Sequence, residues 1–300
     1  MSPPPGAPLR IATRGSALAR WQAEHVTGLL GGDAVLVVVD TLGDRDTSTS
    51  LDQLGGRGIF VKEVQAAVLD GRADLAVHSA KDLPSSPELL APGLVLGCVP
   101  RRGDPRDALV GSSLDDLAPG APIATGSARR RALLADLRPD LTFVDVRGNI
   151  GTRLERVPAG GALVVAAAAL ERLGVTDRTA EALPTEVMVP MVGQGALALE
   201  CRAGDDAVLE RLAAAEDEAS RRAVDAERSW LATIGGGCDL PAGAHAVAGP
   251  DGELRLTSVL ASRDGRVVLR ASGTGHDPAA LGRRVAEELL DRGGRWLLEG

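Results

Sequence analysis

Lys81 and Asp82 stand directly after an apolar segment, in the stretch ADLAVHSAKDLP. If that segment is a strand of an open α/β sheet, both side chains lie at its carboxyl end, where such sheets bind their ligands. A carboxylate placed there can stabilise a developing cation or shuttle a proton. A surface ion pair explains the two residues equally well. Asp82 is therefore a candidate catalytic acid, with Lys81 beside it.

Arginines are concentrated between residues 129 and 153, where six arginines stand against three aspartates. Arg129 and Arg130 fall on the predicted first turn of a helix, where the helix dipole disfavours cations, so an anion should compensate them. The planar guanidinium matches a carboxylate or a phosphate. Arg147 and Arg153 repeat the theme after the next strand. Solvated helix faces usually explain arginine runs, but two runs after successive strands favour a cleft edge that binds a small anion.

Two segments of the chain echo each other, IATRGSA at 11–17 and IATGSAR at 123–129. Each predicts a strand, a tight turn and a helix capped by a serine, Ser16 in the first copy and Ser127 in the second. Free N–H groups at a helix start bind anions, although capping alone explains a single serine. The repetition indicates two lobes of similar design, and the arginine next to each copy favours an anion site.

A glycine-rich segment, GGRGIFVK at 55–62, leads into another predicted helix. It leaves backbone N–H groups accessible to an anion, but it lacks the spacing of a P-loop. The polar residues 41–54 before it are either a mobile lid or an inert surface loop.

The three cysteines predict two different environments. Cys98 and Cys201 end apolar runs and are expected to be buried strand residues. Cys238 follows three glycines, which suits an accessible sulfur used for covalent attachment or as a nucleophile. A plain glycine linker is the alternative. No cysteine or histidine spacing matches a disulfide framework or a metal site, so we expect chemistry without a metal.

The composition argues against nucleic-acid-binding and membrane-spanning proteins. Lysine and arginine number 33 against 41 acidic residues, a net charge of −8, and three Trp, two Phe and no Tyr make a base-stacking surface improbable. We therefore expect no nucleic-acid partner. The apolar stretches are too short to cross a membrane, and the first residues lack a secretory pattern, so we expect a cytoplasmic protein.

Short apolar runs alternate with helical spacing over residues 9–200, which predicts an α/β fold with mainly parallel sheets. After about residue 217 the pattern changes to a helix, a GGGC loop, three strands joined by PDG and RDG turns, and a final amphipathic helix at about 278–292. This part of the chain predicts a small domain with an antiparallel sheet.

Taken together, the motifs resemble the hydroxymethylbilane synthase family, also called porphobilinogen deaminases, over nearly the whole chain. The segments that carry the resemblance, in order, are RIATRGS, TLGD, GGRGIFVKE, ADLAVHSAKDLP, DPRDAL, ARRRALLADLRPDL, VRGNIGTRLERV, VGQGALALEC and AERSWLATIGGGCDLPAG. The resemblance implies a transferase of tetrapyrrole (haem) biosynthesis. Such an enzyme deaminates porphobilinogen, joins four units head to tail onto a covalently bound dipyrromethane, and hydrolytically releases linear hydroxymethylbilane.

The resemblance also implies a domain plan. It predicts two lobes like those of periplasmic binding proteins, residues 1–98 with 196–216 and residues 99–195. A C-terminal domain, residues 217–300, carries the cofactor. The family further leads us to expect a monomer.

Family motifs assign expected roles to single residues. Cys238 is expected to hold dipyrromethane through a thioether, and Asp82 to be the catalytic carboxylate beside the pyrrole nitrogens. The other residues expected to bind the cofactor are Lys81, Thr125, Ser127, Arg129, Arg130, Arg147, Gly148 and Asn149. Those expected to bind substrate are Arg14, Ser16, Arg153, Gln194 and Lys62.

The chain departs from the family pattern at two of these motifs. Gly126 stands where the family commonly has serine, and Arg57 stands where it often has lysine. The competing function is a non-enzymatic, two-lobed binding protein for a small dicarboxylate. Asp82 and Cys238 separate the two functions, because a binding protein needs neither a catalytic acid nor a tethered cofactor.

Overall fold

A computed structural model describes residues 7–40, 61–86, 90–235 and 240–299. The strands are β1 (Leu9–Arg14), β2 (Ala34–Val39), β3 (Leu75–Ser79), β4 (Leu94–Cys98), β5 (Asp107–Val110), β6 (Pro122–Ala124), β7 (Thr142–Val144), β8 (Ala162–Ala166), β9 (Thr179–Leu183), β10 (Leu197–Arg202), β11 (Ala242–Ala248), β12 (Leu254–Ala261) and β13 (Val268–Gly275). The α-helices are α1 (Ala17–Leu29), α2 (Lys62–Leu69), α3 (Ala128–Leu137), α4 (Ile150–Leu154), α5 (Ala167–Arg172), α6 (Asp206–Ala213), α7 (Glu218–Ile234), α8 (Pro278–Leu289) and α9 (Arg295–Glu299).

The first sheet has five strands in the order β2-β1-β3-β10-β4. β1 pairs in parallel with β2 and β3, whereas β10 is antiparallel to both β3 and β4. Four of the five strands therefore run in one direction. β10 comes from a much later part of the chain, so the chain returns to this sheet after building another.

The second sheet repeats this plan in the order β7-β6-β8-β5-β9. β6 is parallel to β7 and β8, and β5 is antiparallel to its neighbours β8 and β9. Every residue of β5 and β8 is buried. Strands covered on both faces read as continuous apolar runs, which explains why DALV and ALVVA show no alternation.

The C-terminal strands β11, β12 and β13 form a separate antiparallel sheet. α8 packs on this sheet through Leu281, Val285 and Leu289, which are buried with Trp230 of α7 in one core. The spacing of these side chains places them on one face of the helix.

Contacts divide the chain into two compact units, Met1–Arg102 with Ala196–Arg221, and Gly103–Gly195 with Arg222–Gly300. The first unit contains the first sheet, and the second unit contains the other two. The three-domain boundaries expected from the sequence stay a prediction. No helix within the described ranges is long and apolar enough to cross a membrane.

The predicted fold class is confirmed: α/β, with two mainly parallel sheets and a small antiparallel one. The repeated strand–turn–helix segments form β1 with α1 and β6 with α3, in equivalent places of their sheets. One strand was not predicted, because TAEAL in β9 is short, half-exposed and only weakly apolar. The segment interpreted as a lid or an inert loop, residues 41–54, lies outside the described residues.

Gly282 allows α8 to lie directly on α7, and its replacement tests that packing. A Cβ at Gly282 would come within 2.7 Å of Ser229 Cβ and of the Trp230 backbone nitrogen. Because backbone cannot move aside cheaply, we expect Gly282→Ala to lower the free energy of unfolding by about 1–3 kcal/mol. Urea denaturation followed by circular dichroism measures the change.

Gly28 provides the matched control, because it lies within α1 and, apart from its chain neighbours and the backbone of that helix, no atom of the described residues comes within 4 Å of the position that a Cβ would take there. Gly28→Ala should leave the stability unchanged or raise it by up to about 1 kcal/mol, since alanine favours helix. Equal stability of the Gly282→Ala protein and the unsubstituted protein would contradict the close packing.

Candidate functional site

Asp82 ends a short 3-10 turn, Ala80–Asp82, that follows β3. The Ala80 N–H donates to the Ala196 carbonyl at 3.0 Å, and the Leu83 N–H donates to the Ala80 carbonyl at 3.2 Å. These bonds hold the half-buried Asp82 at the carboxyl end of a strand, as the sequence predicted. Lys81 is half-buried in the same turn.

A cavity, the Asp82 cavity, lies beside this turn. Its polar lining comes from Arg14, Gln22, His78, Ser79 and Asp82. The structure therefore brings together the predicted catalytic carboxylate and one predicted substrate-binding arginine. Both belong to the first unit.

Ser16 and Ser127 both act as helix caps. Ser16 Oγ accepts the Ala19 N–H at 3.3 Å, and Ser127 Oγ accepts the Arg130 N–H at 3.4 Å. The capping interpretation is thus confirmed for both serines. An additional role in anion binding stays a prediction for each, as does substrate binding by Lys62, which is exposed at the start of α2.

Arg129 and Arg130 are buried and bind the carboxylate of Asp107. Arg129 Nη2 lies 2.7 Å from Asp107 Oδ2, and Arg130 Nε donates to Asp107 Oδ1 at 2.9 Å. The two guanidiniums also donate to the Val189 and Val164 carbonyls. The compensating anion that the helix dipole requires is therefore supplied by the protein itself.

Gln194 completes this arrangement, named here the Asp107 cluster: Asp107, Arg129, Arg130 and Gln194. Gln194 Nε2 donates to Asp107 Oδ1 at 2.9 Å and to the Pro105 carbonyl at 2.8 Å. Burial alone would raise the pKa of Asp107, but the two guanidiniums outweigh burial and hold the pKa at about 2. Asp107 thus stays ionised in a site closed to solvent.

Sequence reasoning did not single out Asp107. It begins the apolar strand DALV, and an acid that starts a buried strand needs a cation nearby. The adjacent arginines Arg129 and Arg130 could have indicated a buried acid, but Asp107 lies 22 and 23 residues away from them in the chain.

The cluster carries two positive charges against the single charge of Asp107. Arg129 Nε is buried and has no hydrogen-bond partner among the described residues. A buried donor in that position is uncommon and calls for an unseen acceptor. A carboxylate of a bound group would provide one, and the excess positive charge of the cluster fits a negatively charged group such as dipyrromethane.

The loop between β7 and α4, which carries Arg147, is built around Gly148 and Asn149. Gly148 has φ of +103°, where a side chain would be strained and its Cβ would lie 3.0 Å from Thr152 Cγ2. Asn149 caps α4 by accepting the Thr152 N–H at 3.0 Å, and Arg153 Nε donates to the Gly148 carbonyl at 2.8 Å. Arg147 is exposed in this loop.

Thr125 and Gly126 connect β6 to α3. Thr125 is buried, and its Oγ1 accepts the Ser127 N–H at 3.2 Å. A Cβ at Gly126 would lie 3.0 Å from the Val146 carbonyl oxygen, so the glycine relieves a tight approach between two strand ends.

The cysteine predictions are confirmed for two residues. Cys98 and Cys201 are fully buried in β4 and β10. Burial raises the pKa of Cys98 far above its usual range and that of Cys201 to about 11, so neither thiol is a ready nucleophile. Cys238 and Arg57 lie outside the described residues. Within the described ranges, no three His, Cys, Asp or Glu residues are grouped as metal ligands would be.

Family comparisons cover most of the chain. Residues 9–210 match the family described as "Porphobilinogen deaminase, dipyromethane cofactor binding domain", and residues 222–291 match "Porphobilinogen deaminase, C-terminal domain". The porphobilinogen deaminase of Roseiflexus castenholzii is 47% identical over 303 residues, covering 97% of this chain and 99% of the relative. That of Brevibacillus brevis is 42% identical over 294 residues, covering 95% and 94%.

Similarity to solved structures is weaker. Lipoprotein Tp32 from Treponema pallidum matches with a TM-score of 0.41 and 13% identity over 70% of this chain and 90% of that one. Such a likeness adds nothing to the fold that the strand order already shows. The two family matches and the near-complete coverage of the relatives establish that this chain belongs to the porphobilinogen deaminase family.

Proposed function

We propose that Asp82 is the catalytic carboxylate of this porphobilinogen deaminase, the transferase that makes linear hydroxymethylbilane from four molecules of porphobilinogen. The observation that carries the proposal is the position of Asp82. It is held at the carboxyl end of β3 and shares a cavity with Arg14. A non-enzymatic dicarboxylate-binding protein is not favoured, because the family matches extend over both the cofactor-binding and C-terminal regions.

Loss of ammonia from the aminomethyl group of porphobilinogen leaves a cation, and the later formation of a C–C bond releases a proton. A carboxylate within hydrogen-bond reach of the pyrrole N–H stabilises that positive charge and accepts the proton. Arg14 offers a guanidinium for a carboxylate of the same substrate. Arg14 and Asp82 thus supply one cationic and one anionic group at the carboxyl ends of the paired strands β1 and β3, which suits a cationic intermediate that carries acetate and propionate.

Dipyrromethane supplies the primer from which the product chain grows. We propose that Cys238 holds it by a thioether and that its carboxylates are bound by the side chains of Lys81, Thr125, Ser127, Arg129, Arg130 and Arg147, with Gly148 and Asn149 shaping the loop. The buried Arg129 Nε, which no described residue bonds, supports the part assigned to Arg129. Gln194 orients Asp107 and Arg130 through its amide. Ser16, Arg153, Gln194 and Lys62 are proposed to bind substrate, together with Arg14.

We also propose that the protein works as a cytoplasmic monomer that binds no nucleic acid. The net charge of −8 and the scarcity of aromatic residues support the absence of a nucleic-acid surface. Gel filtration with light scattering tests the monomer.

Replacement of Asp82 tests its charge. We expect Asp82→Asn to lower turnover by ~10² to 10⁴-fold, because it removes the stabilising charge and the proton acceptor. Asp82→Glu keeps the charge but displaces it, so slight activity should remain. Ammonia release in a single turnover is the measurement. Asp33→Asn, which changes an exposed aspartate of the same unit, is the control. A normal rate for folded Asp82→Asn would exclude the proposed role.

The cofactor linkage predicts a mass difference. The intact protein should exceed its sequence mass by two linked pyrrole units, and Cys238→Ser should abolish the excess because no sulfur remains to form the thioether. Cys98→Ala and Cys201→Ala should keep it, since both sulfurs are buried. Intact mass spectrometry decides the matter, and excess mass on Cys238→Ser would refute the assignment.

Replacement of the exposed Arg147, in the loop between β7 and α4, should weaken the binding of a carboxylate. Arg147→Leu should reduce cofactor occupancy or stall chain growth, because a desolvated carboxylate without its partner costs ~2–5 kcal/mol. Arg131→Leu is the control, since Arg131 pairs with the exposed Asp145 and lies over Phe143. Mass spectrometry of the enzyme after incubation with porphobilinogen counts the units added. Full occupancy and normal growth in Arg147→Leu would leave that arginine as solvated surface.

A further inference from the structure

His78 lies on the same face of the first sheet as Arg14 and Glu200. Ala12 of β1 pairs with Ala76 of β3, so the residues two places further along, Arg14 and His78, share that face. On the other side of β3, Ala198 pairs with His78 and Glu200 pairs with Ala76. The sheet therefore places a carboxylate, an imidazole and a guanidinium on three adjacent strands.

The His78 side chain is 4% exposed and that of Glu200 is 9% exposed. His78 Nε2 lies 3.1 Å from Glu200 Oε2 but is not aligned for a hydrogen bond. The same carboxylate oxygen accepts Gln65 Nε2 at 2.8 Å. Glu200 is thereby fixed by α2, whereas the nearby ring nitrogen is buried without a hydrogen bond to any described residue.

His78 also lines the Asp82 cavity, whose volume is about 30 Å³. By the same measure a water molecule needs about 10–15 Å³, so the cavity has room for one. The His78 ring thus borders both the Glu200 carboxylate and a cavity with polar walls that can hold a water.

We propose that His78 takes up, through a water in this cavity, the proton that Asp82 receives in each round of the reaction. The proposal rests on the proposed role of Asp82. In each round one C–N bond breaks and ammonia leaves, one C–C bond forms, and the C–H bond at the new junction gives up its proton. Asp82 accepts this proton and passes it to His78, the imidazolium is stabilised by Glu200, and His78 returns the proton to solvent.

Within the part of the chain that the structure describes, the charged groups that face His78 are Glu200 from β10, Arg14 from β1 and Asp82 from the turn after β3. α1 and α2 contribute the neutral amides of Gln22 and Gln65. Glu63 precedes Gln65 by two residues and so lies on a different side of α2.

Because a proton can be taken up only by neutral imidazole, kcat should fall as the pH is lowered and His78 becomes protonated. His78→Gln keeps a polar side chain of similar size but binds no proton. We expect it to lower kcat by about 10²-fold, to leave KM within about threefold, and to remove the acidic limb of the kcat profile. The cofactor mass should be unchanged, which reports that the protein is folded and loaded.

Glu200→Gln gives a second, independent test. Glu200→Gln removes the negative charge that lies 3.1 Å from His78 Nε2 and that would stabilise the imidazolium formed in the transfer. The acidic limb should therefore move to lower pH. His25→Gln, which alters the exposed histidine stacked on Trp21, is the matched control and should leave the profile unchanged.

An acidic limb that stays in place in both His78→Gln and Glu200→Gln, whatever the rate, would overturn the proposal and leave His78 a structural residue. Failure of the role proposed for His78 can be distinguished from failure of the role proposed for Asp82. If Asp82→Asn loses ammonia release while the two variants keep the wild-type profile, only the role of His78 fails. If Asp82→Asn keeps ammonia release, the role of Asp82 fails.

Discussion

The ion pairing of Asp107 with Arg129 and Arg130, within the Asp107 cluster, is the interaction on which the second unit depends. It joins the start of β5 to the first turn of α3, and Arg130 extends it to β8 through the Val164 carbonyl. Removal of one partner would leave a buried charge, which is far more costly than loss of an exposed pair. Since the folded pKa of Asp107 lies below its unfolded value of about 3.9, this contribution to stability is complete above that value and is lost as the pH falls towards about 2.

The C-terminal sheet is attached to the same cluster. Gly243 of β11 lies so close to it that a Cβ would come within 2.8 Å of the Val189 carbonyl oxygen and 3.0 Å of Arg129 Cδ. The fully buried Glu227 of α7 accepts the N–H groups of Gly193 and Ala246 at 2.7 and 2.8 Å. One carboxylate thus fixes both the loop that carries Gln194 and the strand β11. The helix that leads towards Cys238 is therefore positioned by the residues that also position the Asp107 cluster.

The sequence predicts those parts of the fold that depend on local pattern. Apolar runs mark β1, β3 and β8, and Ser16 and Ser127 mark helix starts, because strand burial and helix capping are decided by a few neighbouring residues. The reversed strands β5 and β10 were beyond such reasoning, since strand direction depends on partners distant in the chain. The same limit applies to the candidate site. Asp82 follows a recognisable strand end, whereas the partner of Arg129 and Arg130 depends on how β5 is inserted between β8 and β9.

The two repeated strand–turn–helix segments use one backbone plan for different electrostatic purposes. In the first, Arg14 precedes the cap, ends the strand and reaches the Asp82 cavity. In the second, Arg129 and Arg130 follow the cap, so the helix directs them into the protein, where Asp107 neutralises one of their two charges. A position before the cap places an arginine beside a cavity, and a position after it places the arginine in the core. This shift of a few residues along the chain makes Arg14 available to a ligand, whereas Arg129 and Arg130 also hold the fold together.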